Sequence, residues 1–196
     1  MMDKIYKKLS SYLSKNQNIN KDDEELYEYA AKVAVHGIIN IFVTILIGIF
    51  VGMLKECICL YSTFFILRKF VGGWHFNKYS YCLISSIILM VLALFFIRFI
   101  SDYFNLKLFL VTLICSSFFI VCLAPIDNKN KQLSFKEKKI YKTLSTIITL
   151  IVLFSIKVCL HNELFSLAYS MGLAIILTTV FLVAGKVRRF FELNRT

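Results

Sequence analysis

Charge is scarce in this chain, acidic charge above all. Only 18% of its 196 residues are charged, with 12 Asp or Glu against 23 Lys or Arg. A soluble domain carries about 25% charged and 45–50% apolar residues. Here 58% are hydrophobic, and the mean hydropathy is +0.71. A small globule leaves much of its surface in water, so it has nowhere to hide that much apolar area. This excludes a soluble enzyme and a disordered chain. The only proline, Pro125, falls at the end of a hydrophobic run, where a helix can stop without loss. There is no internal repeat and no low-complexity stretch. The six cysteines include no CxxC: Cys57 and Cys59 are two apart, which excludes metal and redox spacings of that kind. What remains is an all-α integral membrane protein.

Charge-free stretches locate the spans. Val33 to Leu54, Tyr79 to Ile97, Leu108 to Ile126 and Leu164 to Gly185 are each free of Asp, Glu, Lys and Arg. Each approaches the roughly 20 residues needed to cross a bilayer. Two weaker segments lie near 57–71 and 141–160. The first is a short tilted or re-entrant piece; the second spans if its end lysines snorkel to the interface. The expectation is about six transmembrane helices in one membrane domain over 1–196, with spans near 33–54, 57–71, 79–100, 108–126, 141–160 and 164–185.

The basic residues set an orientation. With six spans and both termini cytoplasmic, the N-terminal segment, the 68–78 loop, the 127–142 loop and the tail hold 6, 3, 6 and 4 Lys or Arg. The opposite side holds only Lys55, Arg98, Lys107 and Lys157. Cytoplasmic loops are the ones that gather Lys and Arg, so the expected topology is multi-pass with N- and C-termini inside. Residues 1–32 are too polar for a signal peptide. Within them Ile5, Leu9, Tyr12 and Leu13 recur at helical spacing beside Lys4, Lys7, Lys8 and Lys15, which predicts an amphipathic interfacial helix. Asp127 to Lys139 reads as a lysine-rich loop suited to anionic headgroups or an acidic peptide.

One short stretch can carry chemistry. It runs Arg68-Lys69-Phe70-Val71-Gly72-Gly73-Trp74-His75-Phe76-Asn77-Lys78-Tyr79-Ser80-Tyr81-Cys82. A thiol near a histidine is the minimum for a cysteine nucleophile. The imidazole can take the thiol proton, and the resulting cation favours the thiolate. Arg68 and Lys69 add positive potential. Gly72 and Gly73 permit a tight turn with positive φ, which can aim N–H groups at an anion. A single helix through 75–82 would put the two groups about 10 Å apart, so the chemistry needs a turn between them. The alternative is that both pack structurally. Cys115, Cys122, His36 and His161 read as packing residues, Cys159 is assigned no role, and no metal set is evident.

Arg68-x4-Gly73-x-His75-x6-Cys82, with its doubled glycine, resembles the signature of the accessory gene regulator B (AgrB) family. These are membrane cysteine peptidases that process quorum-sensing peptides. The likeness extends to the basic N-terminal segment, His36-Gly37 at the start of the first span, the six-span hydropathy, Ala124-Pro125 and the lysine-rich loop. It implies Cys82 as nucleophile and His75 as general base, with Arg68, Gly72 and Gly73 in support. It implies no cofactor, a homodimer in the lipid bilayer of a bacterial cell membrane, and no nucleic acid. The implied substrate is an autoinducer precursor peptide with an acidic C-terminal tail. That tail is removed, and a thiolactone or lactone ring closes. Lys129 and Lys131 are candidate binding residues for it. The alternatives are a permease or peptide export partner, which would need charged groups along a pathway through the spans, and a scaffold that binds partners through its basic loops.

Overall fold

The computed structural model describes residues 21–73, 79–100, 105–126 and 134–193. Among the described residues the regular structure is six α-helices and no strand. They are α1 (Lys21–Val51), α2 (Leu54–Val71), α3 (Tyr79–Ile100), α4 (Leu106–Leu123), α5 (Phe135–His161) and α6 (Phe165–Leu193). The chain divides into two compact units, Met1–Val43 and Thr44–Thr196. The first contains the α1 residues up to Val43; the contacts described below lie within the second. The amphipathic helix expected before α1 lies outside the described residues.

Among the described residues four helices are long and apolar enough to cross a membrane: Ala34–Val51, Leu106–Leu123, Phe135–His161 and Phe165–Phe191. The apolar part of α3 is shorter, Leu83–Phe99. Helix α2 carries charge at both ends, Lys55 and Glu56, then Arg68 and Lys69. Its 18 residues reach about 27 Å at 1.5 Å each, so it is a full helix and no fragment.

The helix boundaries correct the expected ones, and local chemistry explains each shift. Helix α1 stops at Val51 and not at Leu54, because Gly52 takes φ 73°. Gly52 N donates to the Ile49 carbonyl at 3.1 Å and Met53 N to the Gly48 carbonyl at 2.9 Å. This paired ending is a Schellman motif, which glycine permits without strain. Helix α5 begins at Phe135, not near 141. Ser134 Oγ accepts from Glu137 N at 3.3 Å, and Ser134 N donates to Glu137 Oε2 at 2.8 Å. That capping box satisfies two otherwise unpaired donors. Lys136, Lys138 and Lys139 therefore stand on a helix and not in a loop. Helix α6 likewise continues past Gly185 to Leu193.

Apolar side chains face outward. Ile88, Leu92, Phe95 and Phe99 on α3, Ile114 and Phe118 on α4, and Leu150, Ile151 and Phe154 on α5 are all exposed. In water such a surface would drive aggregation; in lipid it is the expected exterior. Polar groups turn inward instead. Helix α6 is the hub and packs against α2, α3, α4 and α5. Its buried face carries Ala168, Ser170, Ala174 and Thr178, and small residues let helices approach closely in a bilayer. Three of these hydroxyls bond to their own helices: Ser170 to the Ser166 carbonyl, Thr178 to Ala174 and Thr149 to Ser145, each at 2.7 Å; Thr179 on α6 also donates to the Ser116 carbonyl on α4 at 3.1 Å. The buried polar groups in the described core are all Ser and Thr, which suits packing better than a charged pathway.

Contacts at the two ends fix the helix directions. At one end Ser166 Oγ, early in α6, donates to Glu56 Oε1, early in α2, at 2.9 Å. Arg98, late in α3, donates to the carbonyl of Val51 at 2.9 Å. At the other end Phe70, late in α2, meets Tyr141, early in α5, edge to face at 5.8 Å. Helices α2 and α6 thus run one way, and α3 and α5 run the other. The Phe70 end also carries Arg68, Lys69, Lys136, Lys138, Lys139, Lys142, Lys186, Arg188 and Arg189. The Glu56 end carries Lys55, Arg98, Lys107 and Lys157.

Candidate active site

The site is built around the point where α2 stops. Gly72 N donates to the Arg68 carbonyl at 3.1 Å, which closes the last turn. Gly72 then takes φ 75° and ψ −148°, a region open essentially to glycine alone. Gly73 follows at φ 115°. Two left-handed residues in succession turn the chain sharply off the helix axis.

Three neighbours hold this turn. The first is the segment after α4: Ile126 N donates to the Val71 carbonyl at 3.1 Å, and Gly72 forms an isolated parallel bridge with Ile126. A Cβ on Gly72 would collide with the Ile126 carbonyl oxygen. The second is Arg68, whose Nη1 donates to the Gly72 carbonyl at 3.3 Å. The third is α6: a Cβ on Gly73 would come within 2.7 Å of the Phe181 carbonyl oxygen and 2.9 Å of Arg68 Nη1. Steric crowding and dihedral angle both require glycine at these two positions.

Arg68 is itself held. Its guanidinium carbon sits 4.5 Å from the centre of the Phe181 ring and 5.9 Å from that of Phe64. The two rings meet edge to face at 5.9 Å. All three side chains are half-buried, and a guanidinium over an aromatic face gains most where water is thinned. Nearby, Lys69 Nζ lies 5.8 Å from the centre of the Phe70 ring.

The structure thus brings Arg68, Gly72 and Gly73 together. Gly73 precedes the segment holding His75, and Ile126 precedes the segment holding Lys129 and Lys131. The described residues ahead of the two segments, Gly72 and Ile126, are bridged. His75, Lys129 and Lys131 lie outside the described residues. Cys82 is the fourth residue of α3, within the first turn after the His75 segment; its side chain also lies outside them.

Sequence reasoning missed Phe181 and Ile126. No local pattern marks Phe181, which reaches the turn only through the packing of α6 on α2. Ile126 follows the single proline, and that was the available signal. Among the described residues no group of His, Cys, Asp and Glu could hold a metal ion.

An all-helical bundle with lipid-type exposure and a glycine turn ahead of a His–Cys segment defines a small multi-pass membrane protein. The comparisons make the class specific. The chain belongs to the accessory gene regulator B (AgrB) family, whose match runs over residues 6–183. It is 24% identical over 189 residues to "Putative AgrB-like protein 2" of Clostridium perfringens strain 13, covering 94% of this chain and 88% of that one. It is 26% identical over 186 residues to "Putative AgrB-like protein" of strain SM101, covering 90% and 87%. No solved structure matches the chain. Family membership gives the chain a role in the agr quorum-sensing system.

Proposed function

We infer that the protein is a membrane-embedded cysteine endopeptidase, which removes the C-terminal tail of a small autoinducer precursor and promotes ring closure. The observation that carries this reading is the clamped glycine turn: it directs the chain from α2 into the His75 segment immediately ahead of Cys82. A family whose members process peptides supplies the chemistry for that constellation.

In this reading His75 takes the Cys82 proton. The thiolate adds to the carbonyl carbon of the scissile peptide bond. The tetrahedral oxyanion collapses, the C–N bond breaks, and the tail's amine leaves with the proton from His75. The truncated peptide remains as a thioester on Cys82. A thiol or hydroxyl of the same peptide then attacks that carbonyl and closes a thiolactone or lactone, while Cys82 regains its proton. Exchange between thioesters is nearly isoenergetic, so ring formation competes well if water is kept away. Trp74, Phe76, Tyr79 and Tyr81 flank the pair in sequence and suit that task. A precursor held on the membrane arrives at high effective concentration.

The lysines give the tail a destination. Lys129 and Lys131 lead from the Ile126 bridge, and Lys136, Lys138 and Lys139 continue onto exposed α5 positions. A basic surface of this kind raises the local concentration of an acidic peptide. The Phe70 end of the bundle is the cytoplasmic face, and the precursor reaches the site from inside.

The test is co-expression of a tailed precursor with the native protein, Cys82→Ala and His75→Ala. The native chain should release the tail, and both variants should fail. Tail release by Cys82→Ala at the native rate would remove the peptidase reading.

A further inference from the structure

We propose that Phe181 is a positioning residue for the His75–Cys82 pair, acting through Arg68 and the glycine turn. The inference rests on the peptidase reading above and adds a residue on a separate helix, α6. Phe181 touches the turn in two ways at once. Its ring carries the Arg68 guanidinium at 4.5 Å. Its own carbonyl oxygen closes against Gly73, where an added Cβ would approach to 2.7 Å. One residue of α6 therefore braces both the arginine that binds the turn and the turn itself.

The chemistry of arginine makes this arrangement productive. A guanidinium is planar, so it can stack on a ring face while its N–H groups donate in its plane. Here the guanidinium lies over the Phe181 ring and Nη1 donates to the Gly72 carbonyl at 3.3 Å. Phe64 backs the same cation at 5.9 Å and meets Phe181 edge to face. An aliphatic side chain of similar volume would fill the space without attracting the cation. The guanidinium would then hold the Gly72 carbonyl less firmly.

The consequence falls on the next residues. Glycine has the widest conformational range of any residue, and the structure has two in succession where the chain departs toward His75. Their direction depends on what grips them. With the Phe181 brace removed, Gly72 keeps the Ile126 bridge but loses a firmly seated Arg68. The direction in which the chain leaves Gly73 is then less firmly set. A catalytic group displaced by about 1 Å can cost on the order of a hundredfold in rate.

The test reads Cys82 directly and needs no substrate. Native protein, Phe181→Leu, Phe181→Tyr, Arg68→Lys and His75→Ala are purified in detergent and treated with iodoacetamide at pH 7. Mass spectrometry follows alkylation cysteine by cysteine. Cys57 has no exposed surface and must stay unmodified if the bundle is intact. Phe181→Leu and Arg68→Lys should slow Cys82 about tenfold, towards the rate of His75→Ala, while Phe181→Tyr stays within about twofold of native. Combining Phe181→Leu with Arg68→Lys should slow it no further. Native rates in Phe181→Leu, or an equal loss in Phe181→Tyr, with Cys57 protected, would overturn the proposal. If Phe181→Leu exposes Cys57, Arg68→Lys decides, and an unchanged Cys82 rate there overturns it. Equal rates for native and His75→Ala would instead show that no dyad exists, and the peptidase reading would fall first.

Discussion

Ile126 N donates to the Val71 carbonyl at 3.1 Å, which ties the chain leaving α4 to the last residue of α2. Val71 is fully buried, so this bond is shielded from water. It sets Ile126, the last described residue before the lysine-rich segment, beside the glycine turn that precedes the His75 segment.

The first prediction concerns Gly72. Gly72→Ala forces a Cβ into the Ile126 carbonyl at a backbone conformation of φ 75°. Gly52→Ala meets a similar φ, 73°, but open space. Left-handed strain alone costs about 1–2 kcal/mol, and Gly72→Ala adds a collision with backbone that cannot rotate away. Thermal unfolding in detergent should show the larger loss for Gly72→Ala. Peptide processing should be lost in Gly72→Ala and retained in Gly52→Ala.

Core packing gives a second. A Cβ on Gly172 would enter the Phe109 ring, which itself sits edge to face on Tyr169 at 4.7 Å. Overpacking of this kind costs about 1–3 kcal/mol. Gly172→Ala should lower the unfolding midpoint, and Phe109→Leu in the same chain should recover part of it. A double change no better than Gly172→Ala alone would mean that the ring is not what the new methyl meets.

The turn between α5 and α6 gives a third. Glu163 takes φ 59°, in an ending where Leu164 N donates to the Cys159 carbonyl at 2.8 Å. Glycine belongs at such a position. Glu163→Gly should therefore stabilise by up to about 1 kcal/mol, read as a raised unfolding midpoint. The site lies at the opposite end of the bundle, so processing should not change.

Charge gives the fourth. Neutralising Lys129, Lys131, Lys136, Lys138 and Lys139 together should slow cleavage of an acidic-tailed precursor and flatten its dependence on salt. Steering between exposed charges is screened over about 10 Å at 0.1 M salt. A salt response equal to the native one would remove these lysines from substrate capture.

Much of the bundle was legible because membrane helices announce themselves by missing charge. The stretch from Tyr79 to Ile100 is a helix with the expected bounds. Where the bounds moved, short-range chemistry overrode hydropathy. The Ser134-Phe135-Lys136-Glu137 box starts α5 ahead of its apolar run, and that pattern stands in the sequence. Gly52 ends α1 inside an apolar stretch, where a charge-based reading had no reason to stop. The glycine turn was readable as a turn, since doubled glycine before a histidine has few other uses. Its clamp was not, because Ile126 and Phe181 are distant in sequence and reach it through helix packing alone.

Acyl transfer to Cys82 is most directly tested by the mass of that residue. The full-length protein is co-expressed with a tailed precursor whose ring-forming Cys or Ser is replaced by Ala, so that the second step cannot proceed. After acid quenching, the fragment containing Cys82 should carry the precursor lacking its tail, as a thioester that hydroxylamine removes. An unmodified Cys82 together with released tail would contradict the account.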